Sequence, residues 1–123
     1  MPKVMIVDDD RTTVTLLQTL LEMDGFDVIL CPRGGDVLEK TRKQRPDLVF
    51  MDYHLTDMES LGVLKAIRAD PEVVSTPVVM TSGLDVSETC KAAGANEFLL
   101  KPFEPSSLAG LFNRLIEKPK EGS

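Results

Sequence analysis

Val4-Met5-Ile6-Val7-Asp8-Asp9-Asp10 sets the reading of the chain: four apolar residues run without a polar break into three carboxylates. A short, non-alternating apolar run bounded by turn residues is the pattern of a strand buried on both faces of a parallel sheet. The same pattern recurs further on. Leu48-Val49-Phe50-Met51 ends in Asp52, Val78-Val79-Met80 in Thr81-Ser82-Gly83, and Phe98-Leu99-Leu100 in Lys101-Pro102. Open parallel sheets carry their chemistry at the carboxyl ends of the strands. These runs therefore bring an acid cluster, an isolated carboxylate, a hydroxyl and an amine to one edge.

Helix-like segments separate the runs, so the chain reads as five βα units, an α/β fold with helices on both faces of a parallel sheet. Thr12 can cap a first helix to about Met23, with Val14, Leu17 and Leu21 at helical spacing and Asp24-Gly25 ending it. A weaker strand follows over Asp27–Cys31, then a helix carrying Val37 and Leu38 that stops before Pro46. Leu61, Leu64 and Ile67 mark a third helix, and Ser87–Ala93 a short fourth one closed by Gly94. The last helix is entered through Pro105, capped by Ser106 or Ser107, and shows Leu108, Leu111, Phe112 and Leu115 on one face. Residues 1–117 read as one domain, and 118–123 as a solvated tail or linker stub.

With 123 residues, the chain has the length of one ordinary domain with a real core. Its net charge of −6 argues against a nucleic-acid or anionic-membrane surface as the main role, and no apolar stretch is long enough to cross a bilayer. Met1-Pro2-Lys3 leads directly into a strand, so no signal peptide is read there. Cys31 and Cys90 have neither zinc-ligand nor CxxC spacing and read as reduced thiols of a cytoplasmic protein.

Asp8, Asp9 and Asp52 at neighbouring strand ends repel one another unless protonated or bridged by a cation. Hard carboxylate oxygens with room for water suit Mg²⁺, which one or two carboxylates plus phosphate oxygens usually hold. Asp52, positioned by the buried run before it, can attack phosphorus and form an aspartyl-phosphate. Lys101 supplies positive charge for the phosphoryl group and Ser82 a hydroxyl for one of its oxygens. Nucleophile, metal, cationic clamp and hydrogen-bond donor are the parts of a phosphoryl-transfer site. Asp10 reads as a helix cap carrying favourable dipole charge, the Met residues as core filler, and His54 as an exposed loop residue. Counting from Pro77 favours Ser82 over Thr81 as the site hydroxyl.

Four segments, VDDD at Val7–Asp10, PDLVFMD at Pro46–Asp52, PVVMTSG at Pro77–Gly83 and GANEFLLKPF at Gly94–Phe103, resemble the response-regulator receiver domain, as in the chemotaxis response regulator. The resemblance spans nearly the whole chain and implies a flavodoxin-like, doubly wound sheet in strand order 2-1-3-4-5. It makes Asp52 the phospho-acceptor, Asp9 the direct metal ligand alongside Asp52, and Asp8 a ligand through water, with the backbone carbonyl of His54 completing the Mg²⁺ site; Mn²⁺ can substitute. Lys101 becomes the phosphate-binding lysine with a cis bond to Pro102, and Ser82 and Phe98 the switch pair. His54 and Leu84 fall where the family tunes the lifetime of the phosphoryl group; apolar Leu84 cannot orient an attacking water. The implied partners are a histidine kinase or phosphotransfer protein as donor and a downstream protein or output domain as target. The implied chemistry is self-phosphorylation and autodephosphorylation, not turnover of a separate substrate. The last helix could support a weak homodimer, and the chain reads as a stand-alone regulator or a receiver cut from a larger protein.

Two features depart from the family pattern. The loop after Asp52 commonly reads like MPxMDG and is Leu55-Thr56-Asp57-Met58-Glu59-Ser60 here, which predicts a more mobile or differently turned loop. The stretch from Ser82 to Lys101 is about three residues shorter than in the chemotaxis regulator, most of a helical turn, which shortens the fourth-helix region and with it the usual output face. Two rival functions remain open. Asp8-Asp9-Asp10-Arg11-Thr12 also matches the DxDxT motif of haloacid-dehalogenase-like phosphohydrolases, with Asp8 as nucleophile. A receiver-like interaction module that is never phosphorylated is the other.

Overall fold

A computed structural model describes residues 1–117. Its strands are β1 (Lys3–Val7), β2 (Asp27–Leu30), β3 (Leu48–Asp52), β4 (Val78–Ser82) and β5 (Glu97–Leu100). Its helices are α1 (Arg11–Met23), α2 (Val37–Gln44), α3 (Ser60–Ala69), α4 (Ser87–Ala92) and α5 (Leu108–Glu117), with 3₁₀ turns at Gly34–Asp36 and Pro105–Ser107. All strands are parallel, in the order β2-β1-β3-β4-β5.

Alternate side chains along each strand point to opposite faces, and each face has its own core. Val4 and Ile6 of β1 with Leu48 and Phe50 of β3 pack under α1 and α5 through Leu17, Leu21, Leu108 and Phe112. Met5 and Val7 with Val49 and Met51 pack on the other side against Val37, Val63, Leu64 and Ile67 of α2 and α3. Phe112 is fully buried and meets the rings of Phe26 and Phe50 edge-on. Burying a side chain of that size is worth about 3 kcal/mol. This two-sided packing explains why β1, β3 and β4 carry no polar alternation.

Three local expectations change. The cap of α1 is Asp10, not Thr12: its carboxylate accepts the Thr12 amide at 3.1 Å and the Thr13 hydroxyl at 2.9 Å. Ser106 and Ser107 do not cap the last helix; they lie in the preceding 3₁₀ turn, where the Ser107 hydroxyl donates back to the Glu104 carbonyl. Ser60 opens α3 without a left-handed angle (among the described non-glycine residues only Arg45 has positive φ), so the position needs no glycine. The tail expected at 118–123 lies outside the described residues.

Candidate functional site

The register of the sheet builds the site. Val7 pairs with Met51, Asp52 with Thr81, and Ser82 with Leu100, so the residues following each strand emerge at one edge. Asp8 is buried and its Oδ1 accepts the Asp10 amide at 2.9 Å. Burial pushes its carboxyl above the usual carboxylate value; the charges of Asp52 and Asp9 push the same way, opposed by the Asp10 amide and Lys101. Asp9 is half-buried, and its Oδ2 accepts the Thr56 amide at 3.1 Å.

Asp52 lies at the centre. Its Oδ1 accepts the His54 amide at 2.9 Å and its Oδ2 the Lys101 ammonium at 3.0 Å. Lys101 reaches it from the end of β5, where its own amide donates to the Ser82 carbonyl and its bond to Pro102 is cis. Ser82 is fully buried; its oxygen accepts the Leu84 amide and lies 3.0 Å from Nε2 of His54. Thr81 is turned away, its hydroxyl donating to the Leu99 carbonyl at 2.8 Å, which leaves Ser82 as the hydroxyl at this edge. Phe98 is partly buried against the core under α3 and α4, and Leu84 is exposed.

The structure therefore brings Asp8, Asp9, Asp52, Ser82, Lys101 and His54 together. Sequence reading missed the imidazole of His54, which contacts Ser82 from across 28 residues. It also missed the anchorage of the β3–α3 loop. Both Asp57 oxygens accept amides, from Gly34 at 2.8 Å and Gly35 at 2.9 Å, and the Ser60 hydroxyl donates to the Tyr53 carbonyl. The loop expected to be more mobile or differently turned is tied at several points. No local pattern links positions 23 apart, so only the fold reveals these bonds.

Among the described residues, no three His, Cys, Asp or Glu side chains cluster as a metal cage. Mg²⁺ does not require one: it keeps several waters and takes one or two carboxylates. Asp9 and Asp52, with the buried Asp8 behind them, fit that demand as an all-oxygen donor set.

A parallel 2-1-3-4-5 sheet with an acid pair, a lysine-paired aspartate and a buried serine at one edge defines a phosphoryl-handling signalling module. The chain belongs to the response regulator receiver domain family, whose sequence model matches residues 4–113. It is 35% identical over 120 residues to the alkaline phosphatase synthesis transcriptional regulatory protein PhoP of Bacillus subtilis, covering 94% of this chain and 49% of that protein. The chain thus spans about half the length of the curated relatives it matches. Among solved structures, the chemotaxis response regulator CheY4 of Vibrio cholerae superposes with a TM-score of 0.84 at 30% identity, covering 94% of this chain and 98% of that one. The receiver domain of a sensor histidine kinase from Pseudomonas aeruginosa, which holds magnesium in its active-site cleft, gives 0.85 at 25% identity, covering 94% and 97%. No helix among the described residues is long and apolar enough to cross a membrane.

Proposed function

We propose that this chain, with residues 1–117 as its receiver unit, accepts a phosphoryl group on Asp52 in a Mg²⁺-dependent reaction. The observation that carries the reading is the Lys101 ammonium 3.0 Å from Asp52 Oδ2, beside the buried Ser82 and the Asp8–Asp9 pair. An Asp52 oxygen attacks the phosphorus of a phosphohistidine on a histidine kinase or phosphotransfer protein. The new P–O bond forms as the P–N bond breaks, and the electron pair leaves with the imidazole nitrogen. Lys101 offsets charge on the transferred oxygens, and Ser82 turns its hydroxyl toward one of them. Asp9, Asp52 and the His54 carbonyl would hold Mg²⁺, with Asp8 acting through water, and the metal would supply Lewis-acid stabilisation of the phosphoryl oxygens; Mn²⁺ would meet the same ligand preference. The open cleft of about 340 Å³ beside the acid pair, lined by Arg11, Val14, Leu30 and Pro32, suits approach of the donor protein.

Movement of Ser82 and inward turning of Phe98 then alter the surface around α4, β5 and α5, which a downstream protein or a linked output domain reads in the cytoplasm. The phosphohydrolase reading calls for the lysine at Asp8; Lys101 pairs with Asp52 instead.

The test is intact mass after incubation with acetyl phosphate, with and without Mg²⁺, for wild type, Asp52→Asn and Asp8→Asn. The reading expects a Mg²⁺-dependent phosphoryl adduct that Asp52→Asn alone abolishes. No adduct under any condition points to an unphosphorylated interaction module, and loss only with Asp8→Asn restores the phosphohydrolase.

A further inference from the structure

Asp57 is exposed, yet both of its carboxylate oxygens are committed, one to the amide of Gly34 and the other to that of Gly35. These two amides hold its carboxyl below the usual carboxylate value. The loop also seats by shape. A Cβ at Gly34 would lie 2.8 Å from Met58 Cγ and 2.9 Å from Leu55 Cδ1, so side chains on either side of Asp57 rest directly on the glycine backbone. The residue before Asp57 is Thr56, whose amide donates to Asp9 Oδ2 at 3.1 Å. Asp57 and that amide are separated by one residue of backbone, so gripping the carboxylate fixes the direction of the N–H.

We propose that Asp57 is a positioning residue for the metal site: its clasp on Gly34 and Gly35 holds the Thr56 amide against Asp9 and so pre-orients that carboxylate for Mg²⁺. The inference rests on the metal-dependent phospho-acceptor reading above. With Oδ2 held by the amide, the carboxylate plane is set before the metal arrives. Groups of this kind, which orient a metal ligand without touching the metal, typically change affinity 10–100-fold when removed. The device is specific to this loop sequence, because proline at position 56, common in the pattern this loop departs from, has no N–H to donate.

Tyr53 is the one tyrosine in a chain without tryptophan and adjoins Asp52, so its fluorescence reports the site. Mg²⁺ titrations, checked by calorimetry, compare wild type, Asp57→Ala, Asp57→Asn, Thr56→Pro, Thr56→Ala and the Asp57→Ala/Thr56→Pro double variant. The expected result is a Kd raised about tenfold by Asp57→Ala and by Thr56→Pro. Thr56→Ala, which keeps the amide, stays at the wild-type value, Asp57→Asn falls between, and the double variant is no weaker than either single one. Wild-type affinity in Asp57→Ala, or additive losses in the double variant, overturns the inference. If Thr56→Pro does not fold, Asp57→Ala against Asp57→Asn carries the comparison. Failure of the wild type to bind Mg²⁺ overturns the metal reading itself, a result distinct from equal binding by all variants.

Discussion

Nε2 of His54 lies 3.0 Å from the hydroxyl oxygen of Ser82, whose other contact accepts the Leu84 amide. With the amide on its oxygen, the serine has one proton to give, and the imidazole is within reach of it. In the tautomer whose Nε2 accepts from that hydroxyl, donation to a phosphoryl oxygen requires the His54 contact to open. A hydrogen bond of this kind contributes about 0.5–1.5 kcal/mol net, so His54→Ala should speed adduct formation roughly 2- to 10-fold at a fixed acetyl phosphate concentration. The time course by intact mass checks this. In a Ser82→Ala background the same substitution should change nothing; an undiminished effect there refutes the Ser82 route.

Leu84 exposes an apolar side chain next to the site and has no group to orient water. Slow loss of the phosphoryl group is therefore expected in the wild type. Leu84→Glu, which adds a water-binding carboxylate, should shorten the lifetime of the adduct after the donor is removed. Equal decay of the two proteins would sink this expectation.

Gly34 leaves no free room for a side chain unless its neighbours shift. A methyl group there meets Met58 and Leu55 below 3.0 Å and Val63 at 3.3 Å. Gly34→Ala should cost about 1–3 kcal/mol, the usual range for overpacking, measured as a shift of the urea midpoint. An unchanged midpoint would mean that the loop moves aside freely.

Asp70 couples acid pH to stability. The Glu72 amide, with Arg42 and Arg45 adding to it, holds its carboxyl below the ordinary value of 3.8. A folded-state pKa below the unfolded one gives stability that is present above about pH 4 and lost as pH falls through the folded value. Asp70→Asn should therefore lower Tm at pH 6 and flatten its fall between pH 4 and pH 2. Parallel Tm profiles for the two proteins would exclude the coupling.

The order of elements and most of the site groups were legible in the sequence because both are properties of short segments. A strand buried on both faces must be apolar throughout, so Val4–Val7, Leu48–Met51 and Val78–Met80 announce themselves, and the residues after them must emerge at one edge. Thr12 and Asp10 both read as caps of α1 in the sequence, and only the backbone, extended at Asp10, selects between them.

The amino-acid sequence by itself determined the α/β class, the edge where the polar residues gather and, through the resemblance its motifs carry, the family. Tertiary structure alone decided how those residues are held. It pairs Lys101 with Asp52, sets His54 against Ser82, and ties Asp57 to Gly34 and Gly35. The reason is range. Burial patterns are written in consecutive residues, whereas each of these bonds joins positions 22 to 49 apart, whose meeting depends on strand order and loop course.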